Sequence, residues 1–176
     1  MTHKVLAVIP SRMASTRLPE KPLHMIYGKP MVQWVYEGTA KSNYIHRIVV
    51  ATDDQRIVDC VHGFGGEAIM TSSSHKTGTD RICEVVENIG GEYDIIVNVQ
   101  GDEPLIQGKN LDRVINPLID NTGLMMATPI AVARDTDAQN PNVVKVVVDS
   151  NGKALYFSRS AIPFVRGTAS EFFKHI

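Results

Sequence analysis

The sequence predicts an α/β fold, a mainly parallel sheet with helices on both faces and a small β excursion near the C-terminus. Short Val- and Ile-rich runs recur without polar alternation, as strands covered on both faces require. Between them lie segments with apolar residues at i, i+3, i+4 and i+7, the spacing of a helix with one buried stripe. Strand and helix patterns alternate through most of the chain, and that order implies parallel strands joined by helical crossovers.

The elements follow in order. Val5-Leu6-Ala7-Val8-Ile9 is the first strand, ending at Pro10. Gly28-Lys29-Pro30 is a turn into a helix carrying Met31, Trp34 and Val35, with Pro30 placed to open it. Ile48-Val49-Val50-Ala51 is the next long strand, followed by a weaker helical stripe of Ile57, Cys60, Val61 and Phe64. Gly63-Phe64-Gly65-Gly66 follows a helix and precedes Glu67-Ala68-Ile69-Met70, so it reads as a helix stop and turn rather than a cofactor loop. Ile82, Val85, Val86 and Ile89 form the best-patterned helix, and Leu111, Val114, Ile115 and Leu118 another, on either side of a strand at Ile95-Ile96-Val97-Asn98-Val99. Val143-Val144-Lys145-Val146-Val147-Val148 is the last strand-like run; Asn151-Gly152 after it reads as a hairpin turn leading to Tyr156-Phe157. No repeat or linker interrupts the chain, so 1–176 reads as one domain.

Composition narrows the function. With 18 Lys+Arg against 19 Asp+Glu the net charge is −1, without the basic excess that general nucleic-acid or membrane-surface binding requires. Two cysteines, Cys60 and Cys83, make neither a disulfide framework nor a zinc site, and they read as packing residues beside apolar stripes. The 6 histidines show no metal-ligand spacing. No run is long and apolar enough to span a bilayer, and no leader precedes the first strand, so the expected compartment is the cytoplasm. GxxxxGK[ST] and GxSxG are both absent, which removes the P-loop nucleotidase and the hydrolase triad.

In open α/β sheets the ligand sits beyond the carboxyl ends of the strands, which directs attention to three loops. The first, Pro10 to Pro22, carries Arg12, Arg17 and Lys21 with the hydroxyls of Ser15 and Thr16, a set suited to a polyphosphate. The second, Ser72 to Arg81, is polar and opens the best-patterned helix, with Gly78 or Thr79 available as its cap. Arg81 there opposes the helix dipole, which points to an acceptor-rich partner or a salt bridge. The third, Asn98-Val99-Gln100-Gly101-Asp102-Glu103-Pro104, ends a strand in an amide, a glycine and two acids. Asp102, one carboxylate facing a phosphate loop, suits magnesium, which takes its other ligands from phosphate and water. Glu103 reads as capping or polarising the next helix.

Together these loops resemble the 3-deoxy-manno-octulosonate (Kdo) cytidylyltransferase family. The likeness runs through Pro10-Ser11-Arg12-Met13-Ala14-Ser15-Thr16-Arg17-Leu18-Pro19-Glu20-Lys21-Pro22-Leu23, Gly28-Lys29-Pro30-Met31, Val50-Ala51-Thr52-Asp53 and His75-Lys76-Thr77-Gly78-Thr79-Asp80-Arg81. It continues in Val97-Asn98-Val99-Gln100-Gly101-Asp102-Glu103-Pro104, Asn140-Pro141-Asn142-Val143-Val144-Lys145-Val146 and Ala154-Leu155-Tyr156-Phe157-Ser158-Arg159. The resemblance implies a Rossmann-like nucleotidyltransferase that moves CMP from CTP to the anomeric hydroxyl of Kdo and releases pyrophosphate, making CMP-Kdo for lipopolysaccharide. It implies Arg12 and Lys21 on the triphosphate with Arg17 as helper, Gly78 and Arg81 around the cytidine, and Gln100 at nucleotide and sugar. Asp102 would hold Mg2+, and Arg159 and His175 would contact the acidic sugar. A homodimer around Ala154 to Pro163 is implied in the same way. Other readings are a cytidylyltransferase for amino-Kdo or sialic acid, and a CTP-binding chain without turnover. Two departures stand out. Glu20 occupies a position where the family commonly has glycine, and the family continues past His175-Ile176 to a second metal-binding aspartate.

Overall fold

The computed structural model describes residues 3–13, 20–91 and 93–163. The backbone groups into two compact units, Met1–Pro129 and Ile130–Ile176.

The first unit is built on a four-stranded parallel sheet. Its centre is β1 (Val5–Ser11), whose residues Val5 to Ile9 are wholly buried. The strand runs on past Pro10, which pairs with Ala51 in the ladder. β2 (Met25–Ile26) and β3 (Lys29–Pro30) form a short hairpin that delivers the chain into α1 (Met31–Thr39). Pro30 is the N-cap of that helix, in extended backbone. β4 (Arg47–Thr52) then pairs with β1, α2 (Gln55–Gly63) follows, and β5 (Ala68–Met70) pairs outside β4. α3 (Gly78–Ile89) carries the chain back, so that β6 (Ile95–Asn98) pairs with the opposite side of β1. α4 (Gly108–Asp120) follows.

The strand order is therefore β5-β4-β1-β6. Crossovers run outward from β1 to β5 and then return past it, so the order of winding reverses at the β1/β6 boundary. Right-handed crossovers in opposite directions place helices on opposite faces. One cluster joins Val5, Ala7 and Ile9 to Val32 and Val35 of α1, Ile57 and Val61 of α2, and Leu111 and Ile115 of α4. The other joins Leu6, Val8, Val49 and Ala51 to Ile82 and Val85 of α3.

Two apolar runs differ from the doubly covered strands the sequence predicts. In β6 burial alternates, with Ile95 and Val97 inside and Ile96 exposed, because α3 lies over β1 and β4 and does not reach it. The run from Val143 does not join the sheet. After α5 (Asp135–Ala138), β7 (Lys145–Val148) and β8 (Ala154–Ser158) form an antiparallel hairpin within the second unit, with Val147 and Val148 exposed. Its turn contains Asn151-Gly152 as expected, but the anchor is Asp149, whose Oδ1 accepts from the N–H groups of Asn151 and Lys153, both at 2.8 Å.

Candidate nucleotide site

The reversal at β1 opens a crevice at the carboxyl ends of β1 and β6, where ligands sit in open α/β sheets. Ser11 and Arg12 leave β1 there, and Gln100 to Glu103 leave β6. The two segments are pressed together. A Cβ added to Gly101 would lie 2.8 Å from the Pro10 carbonyl oxygen and 2.9 Å from Ser11 Oγ. Backbone cannot yield to that contact, so only glycine lets this turn close onto the end of β1. Ser11 Oγ is buried and has no hydrogen-bond partner among the described residues.

Lys21 opens a short 3₁₀ turn, Lys21–Leu23, anchored by the buried Pro22. Its Nζ lies 2.7 Å from Asp102 Oδ2, so the cation from the first loop and the carboxylate from the β6 loop meet across the crevice. Arg12 is exposed at the exit of β1. Gln100 is exposed as well, and its Nε2 donates to Asn98 Oδ1 at 3.1 Å. Glu103 is not the cap of the next helix: α4 begins only at Gly108, with Gln107 as N-cap. Among the described residues no three or more His, Cys, Asp or Glu side chains cluster as a metal cage. A lone exposed carboxylate beside a lysine of the first loop fits a cation that draws most of its ligands from phosphate oxygens and water. It does not fit one held by protein alone.

The second loop is shaped from within. Its helix is capped by Thr77, rather than Gly78 or Thr79: Thr77 Oγ1 accepts from Asp80 N–H and Asp80 returns the bond to Thr77 N–H, both at 3.1 Å. Both bonds hold the Asp80 carboxyl below the usual carboxylate range, the side-chain contact contributing most. Gly78 starts the first turn against Pro10, with an added Cβ 3.3 Å from the proline ring. Glu84 reaches back to accept from Ser72 N–H at 2.8 Å and pairs closely with His75 Nε2. These bonds, the Ser72 N–H first, depress its carboxyl too.

Arg81, read from sequence as a dipole-opposing cation, is buried. Its Nη2 donates to Asp53 Oδ2 at 2.9 Å and its Nη1 to Thr71 Oγ1, which in turn donates to the Thr52 carbonyl at 3.0 Å. The acceptor partner is thus the strand ends of β4 and β5. Asp53 and Thr71 are the residues that sequence reasoning missed; the available signal was a carboxylate immediately after a buried strand. Of the two cysteines, Cys60 is half-buried against the core, whereas Cys83 is exposed on α3.

In the second unit Arg159 is exposed, its Nη1 donating to the Pro141 carbonyl at 3.1 Å. The buried Lys145 donates to the carbonyls of Asn140, Val143 and Arg159 at 2.9, 2.8 and 2.6 Å, closing that turn around one ammonium. Arg17 and His175 lie outside the described residues. No helix among those described is long and apolar enough to cross a membrane.

A sequence model of the cytidylyltransferase family matches residues 6–176. The 3-deoxy-manno-octulosonate cytidylyltransferase of Geobacter sulfurreducens is 55% identical over 163 residues, covering 92% of this chain and 64% of that protein. Its counterpart in Trichlorobacter lovleyi is 52% identical over 164 residues, again 64% of the relative. The chain thus spans just under two thirds of the length of these relatives. A solved CMP:2-keto-3-deoxy-manno-octonic acid synthetase complexed with CTP superposes with a TM-score of 0.84 at 44% identity, covering 93% of this chain and 67% of that one. A 4-diphosphocytidyl-2C-methyl-D-erythritol synthase from Anaerococcus prevotii shares the fold at 13% identity and a TM-score of 0.56.

Proposed function

Because this chain belongs to the cytidylyltransferase family, we propose that it works in the transfer of CMP from CTP to Kdo, with release of pyrophosphate. The observation that carries this reading is the meeting of Lys21 and Asp102 at the β1/β6 crevice. A polyphosphate placed there faces an ammonium and a carboxylate from opposite walls, with Arg12 at the exit of β1.

In the reaction the anomeric hydroxyl of the sugar attacks the α-phosphorus. The new phosphorus–oxygen bond forms as the bond to the pyrophosphate oxygen breaks, and the hydroxyl proton is lost. The protein's part is alignment and charge neutralisation, as in phosphoryl transfer generally. Lys21 and Arg12 bind the triphosphate, with Arg17 helping. Gly78 and Arg81 frame the cytidine, and Gln100 stands between nucleotide and sugar. Arg159 and His175 offer cations to the sugar carboxylate. Asp102 is the carboxylate that would hold Mg2+, which when bound neutralises phosphate charge. The chain would act in the cytoplasm as a homodimer, and its product would serve lipopolysaccharide assembly.

The test is pyrophosphate release from CTP, with Kdo and sialic acid as alternative acceptors, beside equilibrium CTP binding. Lys21→Ala should weaken CTP about tenfold to a hundredfold while cytidine is little affected, since charge-assisted contacts contribute roughly 1.5–3 kcal/mol. Asp102→Asn should remove the magnesium response of CTP binding. Equal losses for CTP and cytidine, or an intact magnesium response, would overturn these assignments.

A further inference from the structure

Among the described residues of the first unit Arg81 is the most deeply buried cation, and the groups that hold it are strand ends. Its side chain is only 4% exposed and that of Asp53 is 21% exposed. Asp53 follows β4 directly, and Thr71 follows β5. Thr71 is itself doubly tied to Thr52, its N–H and its hydroxyl both donating to that carbonyl, at 2.8 and 3.0 Å. Two adjacent strands therefore present a carboxylate and a hydroxyl in fixed positions, and the guanidinium from α3 is clamped between them. Burying a charge is costly unless it is paired and hydrogen-bonded, so the clamp keeps Arg81 in one orientation.

We propose that Asp53 is a positioning residue for base selection: with Thr71 it fixes the Arg81 guanidinium so that its remaining N–H donors select cytosine over uracil. This rests on the reading that Arg81 lies at the cytidine. A guanidinium has five donors and no acceptor. Asp53 and Thr71 engage one donor on each terminal nitrogen, and the rest keep a fixed direction. Cytosine presents O2 and N3 as adjacent acceptors. Uracil carries a hydrogen at N3, and a donor held rigidly against that hydrogen is repelled. A freely rotating arginine could turn to satisfy either base, whereas a clamped one cannot. Selectivity then belongs to the clamp as much as to the arginine, because discrimination against an isostere is strong only where the polar group has no alternative arrangement.

The experiment measures equilibrium binding of CTP and UTP to the chain and to three variants, each checked for folding by its thermal transition. Asp53→Asn keeps the shape and removes the charge. It should weaken CTP about tenfold or more and leave UTP within about threefold, collapsing the CTP/UTP ratio. Should that variant fail to fold, the Thr71 pair decides: Thr71→Val should lower the ratio and Thr71→Ser, which keeps the hydroxyl, should preserve it. CTP and UTP falling by the same factor, or a ratio unchanged in both Asp53→Asn and Thr71→Val, overturns the proposal. If the unsubstituted chain binds CTP and UTP alike, the reading of Arg81 as a base contact fails, and the role of Asp53 with it.

Discussion

Glu20 sits at φ 56° and ψ 24°, left-handed backbone in which an L residue crowds its Cβ against the following carbonyl at a cost of about 1–2 kcal/mol. Its carboxylate accepts from Arg56 Nη1 at 2.6 Å, and the same guanidinium also binds Asp54, which caps α2. That pair is more than half exposed on both sides, where ion pairs contribute roughly 0.2–1 kcal/mol, so it offsets only part of the strain. The kink has a use: it turns the chain into the 3₁₀ turn that aims Lys21 at Asp102. Position 20 accordingly suits glycine, and the ion pair is this chain's substitute for it. Two substitutions separate strain from pairing. Glu20→Ala loses the pair and keeps the strain; Glu20→Gly loses both. Urea denaturation should find the glycine variant more stable than the alanine variant by about 1 kcal/mol. An alanine variant equal or superior to it would mean that position 20 is not left-handed in solution.

At the scale of elements, α3 matters most, because its first turn sets Gly78 against Pro10 at the end of β1 and Arg81 onto the ends of β4 and β5. Thr77 and Asp80 satisfy one another's N–H groups reciprocally, and substituting such a cap by alanine costs about 0.5–2 kcal/mol. Thr77→Ala should lower stability by that amount and weaken CTP as well, since the frayed turn would no longer hold Gly78 against Pro10. Calorimetry beside CTP titration would register both, and an unchanged melting temperature would count against the cap. The pattern Thr77-x-x-Asp80 was on view in the sequence, yet the glycine and Thr79 beside it competed for the same position. The β-rich runs and the helical stripes were legible because each repeats a simple period. The loops were legible because Lys21 and Asp102 carry charge where the end of a parallel strand must place it. What sequence could not supply was pairing across long separations. Nothing local tells Arg81 to fold back onto Asp53, because that contact depends on β4 and β5 lying side by side beneath α3. For the same reason the open face of β6 was invisible: an apolar run does not say how far its covering helix reaches.

Across the whole molecule, carboxylates held below their ordinary range occur in both units and share a sign. Asp54 is depressed chiefly by the Arg56 side chain, Asp80 by Thr77, Glu84 by the Ser72 N–H and then His75, and Glu37 by Lys29 and then Gln33. In the second unit the Arg134 N–H, then its side chain, depresses Asp137. In the unfolded chain the same groups titrate near about 4. Between the folded and unfolded values the unfolded chain binds more protons, so stability there rises with pH. The stabilisation from these groups is therefore complete above about pH 5 and is lost as pH falls through the lower folded values. Acid should strip the caps of α2 and α3 together, since Asp54 and Asp80 are the capping carboxylates. Urea midpoints followed downward from pH 7 should start to fall below about pH 5. Glu84→Gln, which takes one depressed carboxylate out of the sum, should make that acid slope shallower. A midpoint that rises on acidification below pH 4, or a slope untouched by Glu84→Gln, would show that Ser72 and His75 do not hold this carboxylate in solution as they do here.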